Sequence, residues 1–170
     1  MGKINPYKIV IGHWKTFGNP NGKGKWGDTV VFYGIPMVCG FAYFILCTLY
    51  PNQIRCVSEN CWNSAMTVNS IFIPLVMTLM IGLYGISTSV SQKPQAGKLL
   101  RHLYCNASYL VLFSVLSLAS IIAFIVVGCI ETCWAAGLFV FAGLHSLLTI
   151  LMILKRFHVL SIELTKNQLD

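Results

Sequence analysis

The sequence predicts an all-α integral membrane protein, a four-helix bundle with both termini on the cytoplasmic side. Three observations predict it. Hydrophobic residues make up 56% of the 170-residue chain and charged residues only 10%, against roughly 45–50% and about 25% in soluble domains. The apolar residues arrive in four blocks, 30–50, 69–90, 107–130 and 134–154, and none of these contains Asp, Glu, Lys or Arg. Each block can cross roughly 30 Å of hydrocarbon at 1.5 Å per residue. Finally, eleven of the twelve Lys and Arg residues fall on one side of the resulting topology and only Arg55 on the other. The richer side is the cytoplasmic one by the positive-inside rule.

The N-terminal segment, 1–29, reads as cytoplasmic and interfacial. Between Tyr7 and Phe17 basic, aromatic and aliphatic residues are mixed, which suits a segment lying in the headgroup layer. Asn19-Pro20-Asn21-Gly22 is a turn signal, and Asp28 stands where an N-cap would satisfy the first free amides of the first span. The transmembrane domain then occupies 30–154. Lipid offers no partner to a free backbone group, so spans of continuous apolarity are helices. Pro36 and Pro74 lie inside spans and predict local breaks in the hydrogen-bond ladder. Trp62 and Trp134 fall at the outer boundary, Trp14 and Trp26 at the inner one. After the fourth span, 155–170 reads as a cytoplasmic helical tail, since Ile153, Phe157, Leu160 and Leu164 recur at helical spacing. The basic balance, with a pI of about 9.1, is met by anionic headgroups and calls for no direct nucleic-acid contact.

Four of the seven cysteines gather on the predicted outer side. Cys56 and Cys61 lie in the outer loop expected between spans one and two, and Cys129 and Cys133 flank the turn between spans three and four. Disulfides are expected there, and four cysteines allow three pairings. Cys-x4-Cys with Cys-x3-Cys matches the usual zinc spacings poorly, so no metal is expected, and no cofactor.

The spans lack the membrane carboxylate that pumps and exporters use. Their polar residues are small and lie in stripes: Gly82 and Gly85 on span two, Ser114, Ser117 and Ser120 on span three, Ala142, His145, Ser146 and Thr149 on span four. These faces point away from lipid and suit an oligomer or pore face. For His145 a plainer reading stands beside that one, a histidine hydrogen-bonded to a neighbouring helix. At the cytoplasmic side His13, Trp14, Lys15, Phe17, Arg101, Lys155, Arg156 and Phe157 form a candidate surface for a soluble partner.

The segment His13-Trp14-Lys15-Thr16-Phe17, the Asp28 start, four tight spans and the exit Lys155-Arg156-Phe157 resemble the small four-span membrane proteins of bacterial anti-phage defence, most nearly the membrane subunit of the Kiwa system. The resemblance implies a homo-oligomer in the bacterial inner membrane that senses infection at the envelope and works with a cytosolic, DNA-binding protein partner. The expected function is therefore non-enzymatic. Two alternatives remain: a pore-forming effector that depolarises the membrane through the His145 face, and a quinone-linked thiol-disulfide oxidoreductase built on the outer cysteines.

Overall fold

A computed structural model describes residues 5–17, 25–90, 94–128 and 132–169, except for the side chains of 25, 53–61, 86–90, 94–95 and 163–169. A short helix α1 (Pro6–Trp14) begins where Asn5 accepts from the Tyr7 amide and Pro6 occupies the first turn. Helix α2 (Lys25–Thr29) runs through a π-helical turn, Val30–Gly34, into α3 (Ile35–Leu49). Three long helices follow: α4 (Pro51–Val90), α5 (Pro94–Val127) and α6 (Cys133–Leu169).

Among the described residues, four helical stretches are long and apolar enough to cross a bilayer: Trp26–Leu49, Trp62–Gly85, Ala96–Val127 and Cys133–Ile162, with mean hydropathy from 1.9 to 2.9. Large apolar side chains such as Ile81, Met37 and Val126 are mostly exposed on their outer faces. Water would penalise that surface and lipid does not. The chain is a multi-pass membrane protein with an all-α fold.

The expected loop before span two is helical instead. α3 ends at Tyr50, whose successor Pro51 opens α4 directly, because proline disfavours helix in the residue before it and is at home in a first turn. Residues 52–73 then contain neither Gly nor Pro, so nothing interrupts the helix where its residues turn polar. Helix α4 spans 40 residues, or about 60 Å, twice the hydrocarbon thickness. Span three also stops earlier than its apolar run, at Gly128, whose φ of 72° ends the helix in the left-handed region.

Helix α3 packs against α6, α6 against α5, and α5 against α4, while α1 lies on α5. The α3–α6 crossing is set by two glycines: a Cβ on Gly40 would lie 2.7 Å from the Gly137 carbonyl oxygen, and one on Gly137 2.8 Å from that of Gly40. Backbones this close exclude any side chain. The α5 seam reads Ala96, Leu100, Leu103, Ala107, Leu110, then Ser114, Ser117 and Ile121. Its steps alternate four and three, the spacing that keeps one face toward neighbouring helices. Its apolar first part forms the main core with Val76 and Leu83 of α4 and Ile153 and Leu160 of α6. Beyond the serines a smaller cluster joins Trp62, Ile121 and Ala135. Trp62 is thus packed inside the bundle at the start of the second span, while Trp134 remains 45% exposed.

Candidate functional site: a buried polar column

The column begins with a proline. Pro36 has no N–H, so the carbonyl of Phe32, four residues earlier, loses its α-helical donor. The chain answers with the π-helical turn at Val30–Gly34, a form that recurs where a helix is bent to a purpose. His145 of α6 supplies the missing donor: its Nδ1 lies 2.9 Å from the Phe32 oxygen.

That bond decides the tautomer. A carbonyl only accepts, so Nδ1 carries the hydrogen and Nε2 of the neutral ring is an acceptor. The hydroxyl of Tyr109 on α5, 2.9 Å from Nε2, therefore donates to it. The Tyr33 hydroxyl, 3.3 Å further on, donates to Tyr109 in turn. Three helices are joined by one directional chain, from Tyr33 through Tyr109 and His145 to the Phe32 carbonyl. Thr149 donates back to the carbonyl of His145 at 2.8 Å, and both residues are fully buried.

The same tyrosine carries the column to the N-terminal segment. His13 stacks on Tyr109 with centroids 3.8 Å apart and planes 1° from parallel. Its Nδ1 donates to Asn106 Oδ1 at 3.0 Å, and the Thr16 hydroxyl sits 2.7 Å from that oxygen and 2.6 Å from the His13 carbonyl. Arg156 of α6 donates to the Thr16 carbonyl. Asn106 and Tyr109 share a face of α5 at a spacing of three, which lets α1 lie across one end of the bundle as a strap. Beneath it a Cβ on Gly12 would lie 3.3 Å from Cys105 Sγ. Burial pushes His13 down to about 4, assisted by the nearby Arg156 and His145 and opposed by the Asn106 bond. The ring is neutral at pH 7.

The predicted residues are thereby redistributed. Within one chain His145 lines no pore; both ring nitrogens are spent inside the bundle, because the Pro36 break and Tyr109 use them. Thr149 is enclosed with it. His13 and Phe17 are buried and Arg156 is half-buried against Thr16, so these three leave the predicted partner surface: the strap they belong to needs them to dock. Trp14, Lys15, Arg101, Lys155 and Phe157 remain exposed. Ser114, Ser117, Ala142 and Ser146 line a common cavity inside the bundle, whereas Ser120 is exposed and bonds back to Leu116. Gly82 and Gly85 stay open, with nothing near a would-be Cβ. Cys133 is a free thiol; the side chains of Cys56 and Cys61, and all of Cys129, lie outside the described residues.

Sequence reasoning passed over Phe32, Tyr33, Asn106 and Tyr109. A signal existed for the first, since a proline inside a span names the carbonyl four residues before it. The Gly40–Gly137 crossing also had one: each glycine precedes a phenylalanine by four, Phe44 and Phe141. Comparison with protein-family models, with curated proteins and with solved structures finds no match for this chain.

Proposed function

We propose that this protein is a non-enzymatic membrane subunit of a bacterial anti-phage defence complex, seated in the inner membrane with both termini cytoplasmic. It reports the state of its membrane bundle to a soluble partner. The observation that carries this reading is the continuous polar column from His145 at membrane depth to the α1 strap. The strap turns His13, Thr16 and Phe17 inward and leaves Trp14 and Lys15 outward. A displacement of α6 against α3 acts on the bond between His145 and Phe32 and, through Tyr109, on the ring stacked beneath His13. Trp14 and Lys15, with Lys155 and Phe157 at the exit of α6, form the surface offered to the partner. The open Gly82 and Gly85 face of α4 supports a homo-oligomer, since small residues let helices of two copies approach. The cytoplasmic placement rests on the basic residues at that end, and the defence role on the resemblance of the His13–Phe17 and Lys155–Phe157 segments.

The test is native mass spectrometry of the tagged chain expressed with the products of its neighbouring genes. The expected result is an oligomer carrying one soluble protein in fixed ratio, lost on Lys15→Glu with Trp14→Ala while the oligomer itself persists. An oligomer with no soluble protein, or one indifferent to both changes, overturns the coupling. Strong activity of alkaline phosphatase fused after Asp170 overturns the orientation.

A further inference from the structure

A second polar region, separate from the column, lies in the middle of the bundle. At Ser114 and Ser117 the α5 seam carries serines where its other positions carry larger apolar residues or alanine, and a cavity of about 220 Å³ fills the missing space. It is bounded by α4, α5 and α6, and four of its lining residues are polar: Asn69, Ser114, Ser117 and Ser146. It opens sideways between α4 and α6, where Val68, Gly143 and Leu147 are exposed toward the lipid.

Six hydroxyls elsewhere in the spans make a bond that those of the cavity do not. Thr48, Thr67, Ser70, Thr78, Ser120 and Thr149 each donate to the carbonyl four residues earlier, the ordinary resort of a hydroxyl in a helix that lacks another partner. Among the described residues, Ser114, Ser117, Ser146 and Asn69 make no hydrogen bond to the protein. Ser114 is only 3% exposed, so this is a buried polar side chain facing a cavity. Groups left unsatisfied at membrane depth are costly, and three hydroxyls with an amide make the cavity rich in donors and free of charge.

We infer that this cavity binds an uncharged molecule that arrives through the bilayer: a ring-sized head bearing carbonyl acceptors, with a hydrocarbon tail that leaves between α4 and α6. The head has about nine heavy atoms, by scaling from a cavity of roughly 150 Å³ that holds benzene. Ser114, Ser117, Ser146 and Asn69 donate to its oxygens. Val68, Gly143 and Leu147 frame the opening for the tail. A charged head is excluded, because the lining offers no counter-ion.

The experiment titrates the full chain in phospholipid nanodiscs with a benzoquinone bearing a decyl chain and follows tryptophan quenching. Trp62 is the reporter, since its ring lies 4.8 Å from that of Phe139 in the cavity wall. Gly143→Phe places a ring in the opening, where the glycine has free space, and separates cavity binding from partition into lipid. Saturable quenching is expected in the native chain and in Val126→Phe, a control on the exposed face of α5, and its loss is expected in Gly143→Phe. Ser114→Ala with Ser146→Ala is expected to weaken binding about tenfold. Equal quenching in the native chain and Gly143→Phe means that the cavity holds water alone, which overturns the inference. Unchanged affinity in the double serine variant, or equal competition by decylbenzene, means apolar filling without recognition and overturns it too. Circular dichroism of each variant confirms that it is helical before its titration is read.

Discussion

His145 and Ser146 are neighbours in sequence, yet they face two parts of the bundle that treat polarity in opposite ways. On the His145 side each ring nitrogen has a partner, the tautomer is dictated by a carbonyl, and three helices are tied together. On the Ser146 side the lining hydroxyls hold to nothing in the protein and surround open space. The difference teaches what a polar residue in a membrane helix is for. Where its hydrogen bonds are spent within the chain it specifies the arrangement of helices; where they are kept free beside a cavity they are available to something else.

The largest expected effect comes from removing the satisfied member of this pair. His145→Ala orphans the Phe32 carbonyl, takes from the Tyr109 hydroxyl its acceptor and leaves a cavity, for a loss of about 4 kcal/mol. Ser146→Ala gives up no bond, so its effect stays within about 0.5 kcal/mol. Unfolding of the two variants in mixed micelles by titration with dodecyl sulfate measures both. Equal losses at the two positions would break the contrast between the closed and the open side.

Much of this architecture is legible in the sequence, and the exceptions have physical causes. The four spans follow from composition alone, because lipid imposes one answer on a long uncharged apolar run. The loop expected before span two fails for a related reason: polarity reports where a residue sits relative to the membrane, whereas the helix ends only at a breaker, and none comes between Pro51 and Pro74. The serine stripe was half legible. Steps of three from Ser114 to Ser117 to Ser120 turn each residue about 60° from the last, so Ser120 drifts out to lipid, while the alternation through Leu110, Ser114, Ser117 and Ile121 stays on the seam. Docking of His13 on Asn106 and Tyr109 was not legible, since it joins residues some ninety positions apart with no local pattern to announce it.

A middle-sized effect sharpens the strap. His13 is neutral when docked and sits near 4, against 6.5 in a free chain. Docking therefore has its full strength above about pH 6.5 and weakens as the pH falls toward 4, because only the undocked ring takes up a proton in that window. The loss reaches about 2 kcal/mol at pH 5. Hydrogen exchange of the amides from Ile11 to Thr16, corrected for the intrinsic effect of pH, is expected to show it. His13→Phe keeps a ring against Tyr109 and has no proton to gain, so its protection is expected to be lower throughout and flat with pH. A native profile as flat as that of the variant would show that the neutral ring is not what holds α1 down.

The smallest effect is expected to favour stability. Ser117→Leu places an apolar side chain at a seam position and fills part of the 220 Å³ cavity. No intramolecular bond is given up, and the gain is expected to be about 1 kcal/mol in the same unfolding titration. Ser120→Leu is the matched change on the lipid side of α5, where the leucine meets only hydrocarbon and the lost bond to Leu116 is replaceable, so it is expected to move stability little. A leucine at Ser117 that destabilises instead would mean that the walls are already in contact and the space is not spare. A gain accompanied by loss of the saturable quenching would make the open side a place where the native chain keeps less stability than its own seam could provide, the mark of a site retained for a ligand.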